Sequence, residues 1–182
     1  MEYSIRRAQL SDASAIQSMA EVAFRHTYRQ ILSPAQMEYM MDWMYSDASL
    51  QRQLTVDGHV YLILRLADGR DVGYVSFSDD TPPERSAVPM SADATRRYHL
   101  QKIYLLPDVQ RLGLGAVLLH AAEALMLQLA GDGPVQYELN VNRNNGAVAF
   151  YRRMGLSILR QGDFDIGDGF YMNDYIMGRT LR

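Results

Sequence analysis

The chain has 182 residues, 48% hydrophobic and 21% charged, with a formal net charge of −3. That is length and apolar content enough for one domain over residues 1–182 with its own core. The acidic balance speaks against a nucleic-acid partner, which wants a basic stripe, and points toward cationic small molecules rather than polyanions. The absence of cysteine excludes disulfides, thiolate zinc sites and a Cys nucleophile. Residues 1–7 lack the apolar stretch of a signal peptide, and the apolar-rich run 112–129 is broken by His120, Glu123 and Gln128. The expectation is a cytoplasmic protein with no membrane span.

In chain order, residues 3–7 alternate as a strand does. Ser11-Asp12 offers an N-cap to a helix on which Ala15, Ile16, Met19, Ala20 and Ala23 recur at helical spacing. Ser33-Pro34-Ala35-Gln36 opens a second helix with a cap, a first-turn proline and a capping box. Its Met37, Met40, Met41 and Met44 read as a core face more readily than as a pocket. A short helix follows over 46–54. Strands at 59–66 and 71–78 flank Asp68-Gly69, a hairpin turn. The polar stretch 79–97, with Pro82, Pro83 and Pro89, reads as a long loop. A strand at 99–106 ends at Pro107, and a glycine loop and an apolar helix come next. Residues 135–141 form a strand. Asn144 or Asn145 then caps a helix that runs to Met154 and stops at Gly155. Residues 157–164 and 170–180 form a final antiparallel pair. The reading is one α/β domain.

The order strand, Pro, Gln110-Arg111-Leu112-Gly113-Leu114-Gly115, helix has a direct chemical use. Glycines let the backbone turn sharply and approach a ligand closely. The first helical amides lack intrahelical partners and sit at the positive end of the helix dipole. Together they suit a pyrophosphate, and Arg111 adds a charge-assisted contact. A Walker loop would end in Gly-Lys-Ser/Thr, but this one ends Gly115-Ala116-Val117; a dinucleotide fingerprint would need a third glycine where Leu118 stands. Spacing alone leaves an anion cradle and a plain turn before a core helix both open.

The glycine loop resembles the acetyl-CoA loop of the GCN5-related N-acetyltransferases, whose pattern is Gln/Arg-x-x-Gly-x-Gly/Ala. The block Asn144-Asn145-Gly146-Ala147-Val148-Ala149-Phe150-Tyr151-Arg152-Arg153-Met154-Gly155-Leu156 resembles a second stretch of that family. The two blocks come in the family's order, and the elements around them match over nearly the whole chain. The resemblance implies the GNAT fold: a mostly antiparallel sheet of about seven strands flanked by about four helices. It implies acetyl-CoA as co-substrate, no metal, and direct transfer to a primary amine without a covalent intermediate.

Residue by residue, the resemblance gives the backbone of Ile103, Tyr104 and Leu105 to the pantetheine arm. It gives the pyrophosphate to the amides of Arg111, Leu112, Gly113, Leu114, Gly115 and Ala116, with Gln110 as a further cofactor-binding residue. Asn144 matches an asparagine that often reaches the cofactor arm, and a plain N-cap is the competing role. Tyr151 matches the tyrosine that protonates the departing thiolate; a thiol near ~8.5 and a phenol near ~10 make that exchange reasonable. The family often carries a Glu on the strand before the loop. Here His99 and Gln101 stand at the matching positions, so the proton acceptor departs from the pattern. His99 titrates near ~6.5 when unperturbed and is the candidate, with a strand-edge histidine devoid of chemistry as the alternative. His26, His59 and His120 lack metal spacing, and His120 reads as a satisfied structural histidine on the apolar helix.

The acceptor-binding segments vary within the family. Here they supply Phe24, Tyr28, Trp43, Tyr74, Tyr171 and Tyr175 among other aromatics, and Glu21, Glu38, Asp42, Asp79, Asp80 and Asp174 as carboxylates for a cation. The tail Phe170 to Met177 and the region from Phe24 to Ser46 are similar to a branch that includes polyamine N-acetyltransferases. The expected partner is therefore a small-molecule amine, in a chain that forms a monomer or a homodimer. A peptide or protein amine and a non-catalytic acetyl-CoA sensor are the alternatives.

Overall fold

The computed structural model describes residues 2–81 and 95–182. Pro82, Pro83 and Pro89, and with them most of the loop expected over 79–97, lie outside the described residues. At its ends Asp79 closes one strand and Arg96 opens the next, so both strands run further into this stretch than its composition implies.

In chain order the elements are β1 (Tyr3–Arg7), α1 (Ala13–Tyr28), α2 (Pro34–Tyr45), α3 (Asp47–Thr55), β2 (Val60–Leu66), β3 (Asp71–Asp79), β4 (Arg96–Leu105), α4 (Leu114–Ala130), β5 (Val135–Asn142), α5 (Ala147–Arg153), β6 (Ser157–Gly167) and β7 (Phe170–Leu181). The seven strands are hydrogen-bonded in the order β1-β2-β3-β4-β5-β7-β6. The β1/β2, β2/β3, β5/β7 and β6/β7 pairs are antiparallel, and β4/β5 is parallel. This is the mostly antiparallel α/β sheet expected, with five α-helices among the described residues. No helix among them is long and apolar enough to cross a membrane.

The chain divides into two compact units. The first comprises Met1–Ser78 and Lys102–Ala122. Its hairpin β2–β3 turns at Asp68-Gly69, where Gly69 takes φ +88° and Asp68 Oδ1 accepts from the Arg70 N–H at 2.9 Å. Helix α2 starts as its sequence directs: Ser33 Oγ accepts from the Gln36 N–H at 3.2 Å, with Pro34 in the first turn. Asp12 stands at the N-cap of α1 but does not cap it. Its carboxylate turns back to the Gln9 N–H and to the Arg6 guanidinium, each at 2.8 Å. The bidentate pair with the Arg6 guanidinium holds both carboxylate oxygens, and so turns the side chain away from the first turn of α1. Met37, Met40 and Met41 are buried as a core face should be; Trp43 is exposed.

The second unit comprises Asp79–Gln101 and Glu123–Arg182. The start of β4 runs parallel to β5, His99 opposite Glu138, and β5 pairs with β7, Asn142 opposite Asp174. One sheet face carries Tyr137, Leu139 and Val141, all buried, and receives α4 through a hydrogen bond of 2.5 Å from the Tyr137 hydroxyl to Glu123 Oε1. Side chains alternate across a strand, so the other face carries Glu138, Asn140 and Asn142 of β5, with Asp174 on β7 and His99 on β4. Arg179 ties this unit together. It pairs with Glu123 Oε2 at 2.6 Å and donates to the Met154 carbonyl at 2.7 Å, closing the C-terminal end of α5.

Candidate active site

The glycine loop lies in the first unit, between the end of β4 and α4. The Gln110 side chain donates to the Leu105 carbonyl at 3.1 Å, pinning the loop to the strand whose Ile103, Tyr104 and Leu105 are only partly buried. Arg111 adopts φ +63° and Gly113 φ +82°. Two left-handed residues within three positions make the sharp turn, and Gly113 takes that conformation without the cost an L side chain bears. Arg111 accepts the strain and stays exposed, as does Leu112. Helix α4 begins at Leu114, two residues later than its hydrophobicity suggests. The Ala116 and Val117 N–H groups both bond the Gly113 carbonyl, at 3.1 and 3.3 Å. The amide of Ala116, expected in the anion cradle, is thus committed to the helix; the earlier amides, Arg111 to Gly115, keep the positive end of the dipole for an anion.

In the second unit, the turn between β5 and α5 is built by asparagines. Asn142 Oδ1 accepts from the Asn144 N–H and Asn145 Oδ1 from the Ala147 N–H, each at 2.9 Å. Neither asparagine is the N-cap: that position falls to Gly146, α5 starts at Ala147, Asn145 closes the turn before it, and Asn144 is exposed. Tyr151 sits mid-helix, 6% exposed, its ring centroid 5.3 Å from that of Phe150. Gly155, at φ +85°, ends the turn that follows.

His99 is half-buried on β4 opposite Glu138, which is paired with Arg160 at 2.6 Å. Burial pulls its imidazole below the usual histidine value; Asp80 and Glu138 oppose this, and Arg160 assists it. The ring is therefore neutral at neutral pH and able to take a proton. Gln101 is exposed two residues on. His120, expected as a structural histidine, points outward from α4: the helix buries Leu118, Leu119 and Ala122 instead.

The first unit also holds a cleft of about 530 Å³ between α1 and the α2–α3 corner, within the range of small-ligand sites. Glu21, Glu38, Asp42 and Asp47 line it, with Met41 and Tyr45 as apolar wall. Arg25 pairs with Glu21 at 2.5 Å and with Glu38. Among the described residues no cation pairs with Asp42 or Asp47, so the cleft keeps a negative surplus.

Lys102 escaped the motif-based reading. It is 7% exposed, and its Nζ donates to Gln53 Oε1 at 2.8 Å while lying 5.7 and 5.6 Å from the ring centroids of Tyr45 and Tyr61. The Tyr61 hydroxyl donates to the same Gln53 oxygen at 2.5 Å. Burial, with no carboxylate partner among the described residues, brings the amine down to about 7. Strand alternation was the available signal, because Tyr98, Leu100 and Lys102 share a parity and are all buried.

A model of the acetyltransferase (GNAT) family matches residues 22–156. An uncharacterised N-acetyltransferase of Mycobacterium tuberculosis is 30% identical over 176 residues, covering 94% of this chain and 99% of the relative. Among solved structures, the PaiA N-acetyltransferase of Thermoplasma acidophilum in complex with coenzyme A superposes with a TM-score of 0.73 at 22% identity, covering 100% of both chains. A GCN5-related N-acetyltransferase of Rhodopseudomonas palustris gives 0.74 at 19% identity, covering 100% of this chain and 97% of the other.

Proposed function

The chain belongs to the acetyltransferase (GNAT) family and is an acetyl-CoA-dependent N-acetyltransferase; from that premise we propose that its acceptor is a small amine carrying more than one positive charge, of the polyamine type. The observation that carries this reading is the α1/α2 cleft, lined by four carboxylates of which Arg25 pairs with two, Glu21 and Glu38. A cleft walled by one sign of charge concentrates ligands of the other.

The amides from Arg111 to Gly115, with the Arg111 side chain, receive the pyrophosphate, and β4 from Ile103 to Leu105 pairs with the pantetheine. The neutral imidazole of His99 takes a proton from the acceptor, because an ammonium has no lone pair to offer. The freed nitrogen bonds to the acetyl carbon and the carbon–sulfur bond breaks. Tyr151 hands its phenolic proton to the leaving thiolate, and the second proton that the bonded nitrogen sheds to become a neutral amide restores the tyrosine. Asn144, exposed and free of the capping role, is available to the cofactor arm.

Neutralising the unpaired carboxylates tests the acceptor reading. In Asp42→Asn/Asp47→Asn, the KM for spermidine rises about 10-fold, roughly 1.4 kcal/mol of lost attraction, while the KM for acetyl-CoA holds. An unchanged spermidine KM overturns the assignment of the cleft to the acceptor.

A further inference from the structure

Asp174 lies on the polar face of the second unit's sheet, between Asn142 of β5 and Gly162 of β6 in register. It is 4% exposed. The Asn140 amide donates to its Oδ2 at 3.2 Å; among the described residues nothing donates to its Oδ1, which is fully buried. A buried acceptor left without a donor costs about 1–3 kcal/mol, and native interiors leave few such atoms without cause. The cation whose field reaches it, Arg143, is already bonded to Asp163. Burial raises the Asp174 carboxyl above the usual carboxylate value, opposed by Asn140 and Arg143.

The other side of the carboxylate is equally specific. Gly162 leaves a gap on this face, and the Phe164 ring folds into it: a Cβ on residue 162 would stand 3.0 Å from Phe164 Cζ. The register puts Gly162 beside Asp174 and Phe164 beside Met172, on one face. A half-satisfied carboxylate next to an aromatic ring is a pair that an ammonium satisfies on both counts, through a charge-assisted hydrogen bond and a cation–π contact. Asn140, which holds the other oxygen, is itself exposed, so the buried carboxylate lies one side chain from solvent.

We propose that Asp174, with Asn140 and the Phe164 ring, binds an ammonium nitrogen of the acceptor. The assignment rests on the amine reading above and adds to it a specific carboxylate outside the α1/α2 cleft. It also explains why an unpaired buried acid is kept. A group held for a ligand is a cost to the ligand-free fold, whereas a group held for the fold is a support.

The test uses the full chain and Asp174→Asn, an isostere that removes the charge. With spermidine as acceptor, kcat/KM falls about 100-fold, as for a desolvated charge pair losing one partner, while the acetyl-CoA KM is unchanged and the melting temperature of the ligand-free protein is unchanged or higher. Phe164→Leu gives a smaller loss in the same direction. If Asp174→Asn melts lower and its activity loss matches the lost folded fraction, the carboxylate is structural and the proposal is overturned. Equal turnover by wild type and variant also overturns it, and leaves the amine reading standing. A wild type that releases no thiol with any amine overturns the amine reading itself, and is seen before the variant is compared.

Discussion

Lys102 in the first unit and Glu123 in the second are both buried charges, at 7% and 5% exposure. Their surroundings are opposite. Glu123 meets the Arg179 guanidinium with one oxygen and the Tyr137 hydroxyl with the other. Lys102 meets a neutral amide oxygen and two tyrosine rings, with no carboxylate in reach among the described residues. A full ion pair with its remaining lone pairs satisfied holds structure together, and removing one partner strands the other. A lone buried amine instead lowers its own basicity until losing the proton costs little. The second unit thus spends its buried charge on fixing α5, which carries Tyr151, while the first keeps a titratable group in its core.

Arg179→Met breaks the comparison with the largest effect. It leaves the buried Glu123 without its guanidinium and releases the Met154 carbonyl, so stability falls by about 3 kcal/mol and the melting temperature by roughly 10 °C. Glu123→Leu/Arg179→Met recovers most of that loss, because a well-packed apolar pair is a fair substitute for a buried ion pair. A single variant that melts with the wild type shows that the pair holds nothing.

Lys102→Met sharpens the contrast with a smaller effect of opposite sign. The folded amine titrates near about 7 and the ordinary value is 10.5. Between those values the unfolded chain binds a proton that the fold does not, so wild-type stability rises with pH across that window. The proton is held by both states below it, where the buried charge costs the fold most. Lys102→Met should therefore melt no lower than wild type at pH 6 and flatten the rise from pH 7 to pH 10, followed by thermal melts across the series. A marked drop in melting temperature with the slope intact would show that the ammonium is a support.

Much of this was legible along the chain where the signal is local. Asp68-Gly69 located the hairpin, Ser33-Pro34 the start of α2, and the paired glycine and asparagine blocks the family. What stayed hidden depends on distant partners. Lys102 looks like an ordinary strand-surface lysine until Gln53, 49 positions away, comes to meet it. Asp12 sits where a cap belongs, but Arg6 draws it away. Asn144 and Asn145 are equal cap candidates by type, but the path of the turn puts Gly146 at the cap and spends Asn145 on the turn itself. Asp174 was one of six carboxylates offered for a cation, and nothing along the strand says that one of its oxygens lacks a donor among the described residues.

The central claim is that this N-acetyltransferase serves a multiply charged small amine, and free thiol release measured with acetyl-CoA and a panel of acceptors tests it most directly. The account predicts steady release with spermidine or spermine at millimolar levels, monoacetylated polyamine as the product by mass, and little release with an unbranched peptide N-terminus. Release with the peptide and none with either polyamine would contradict it.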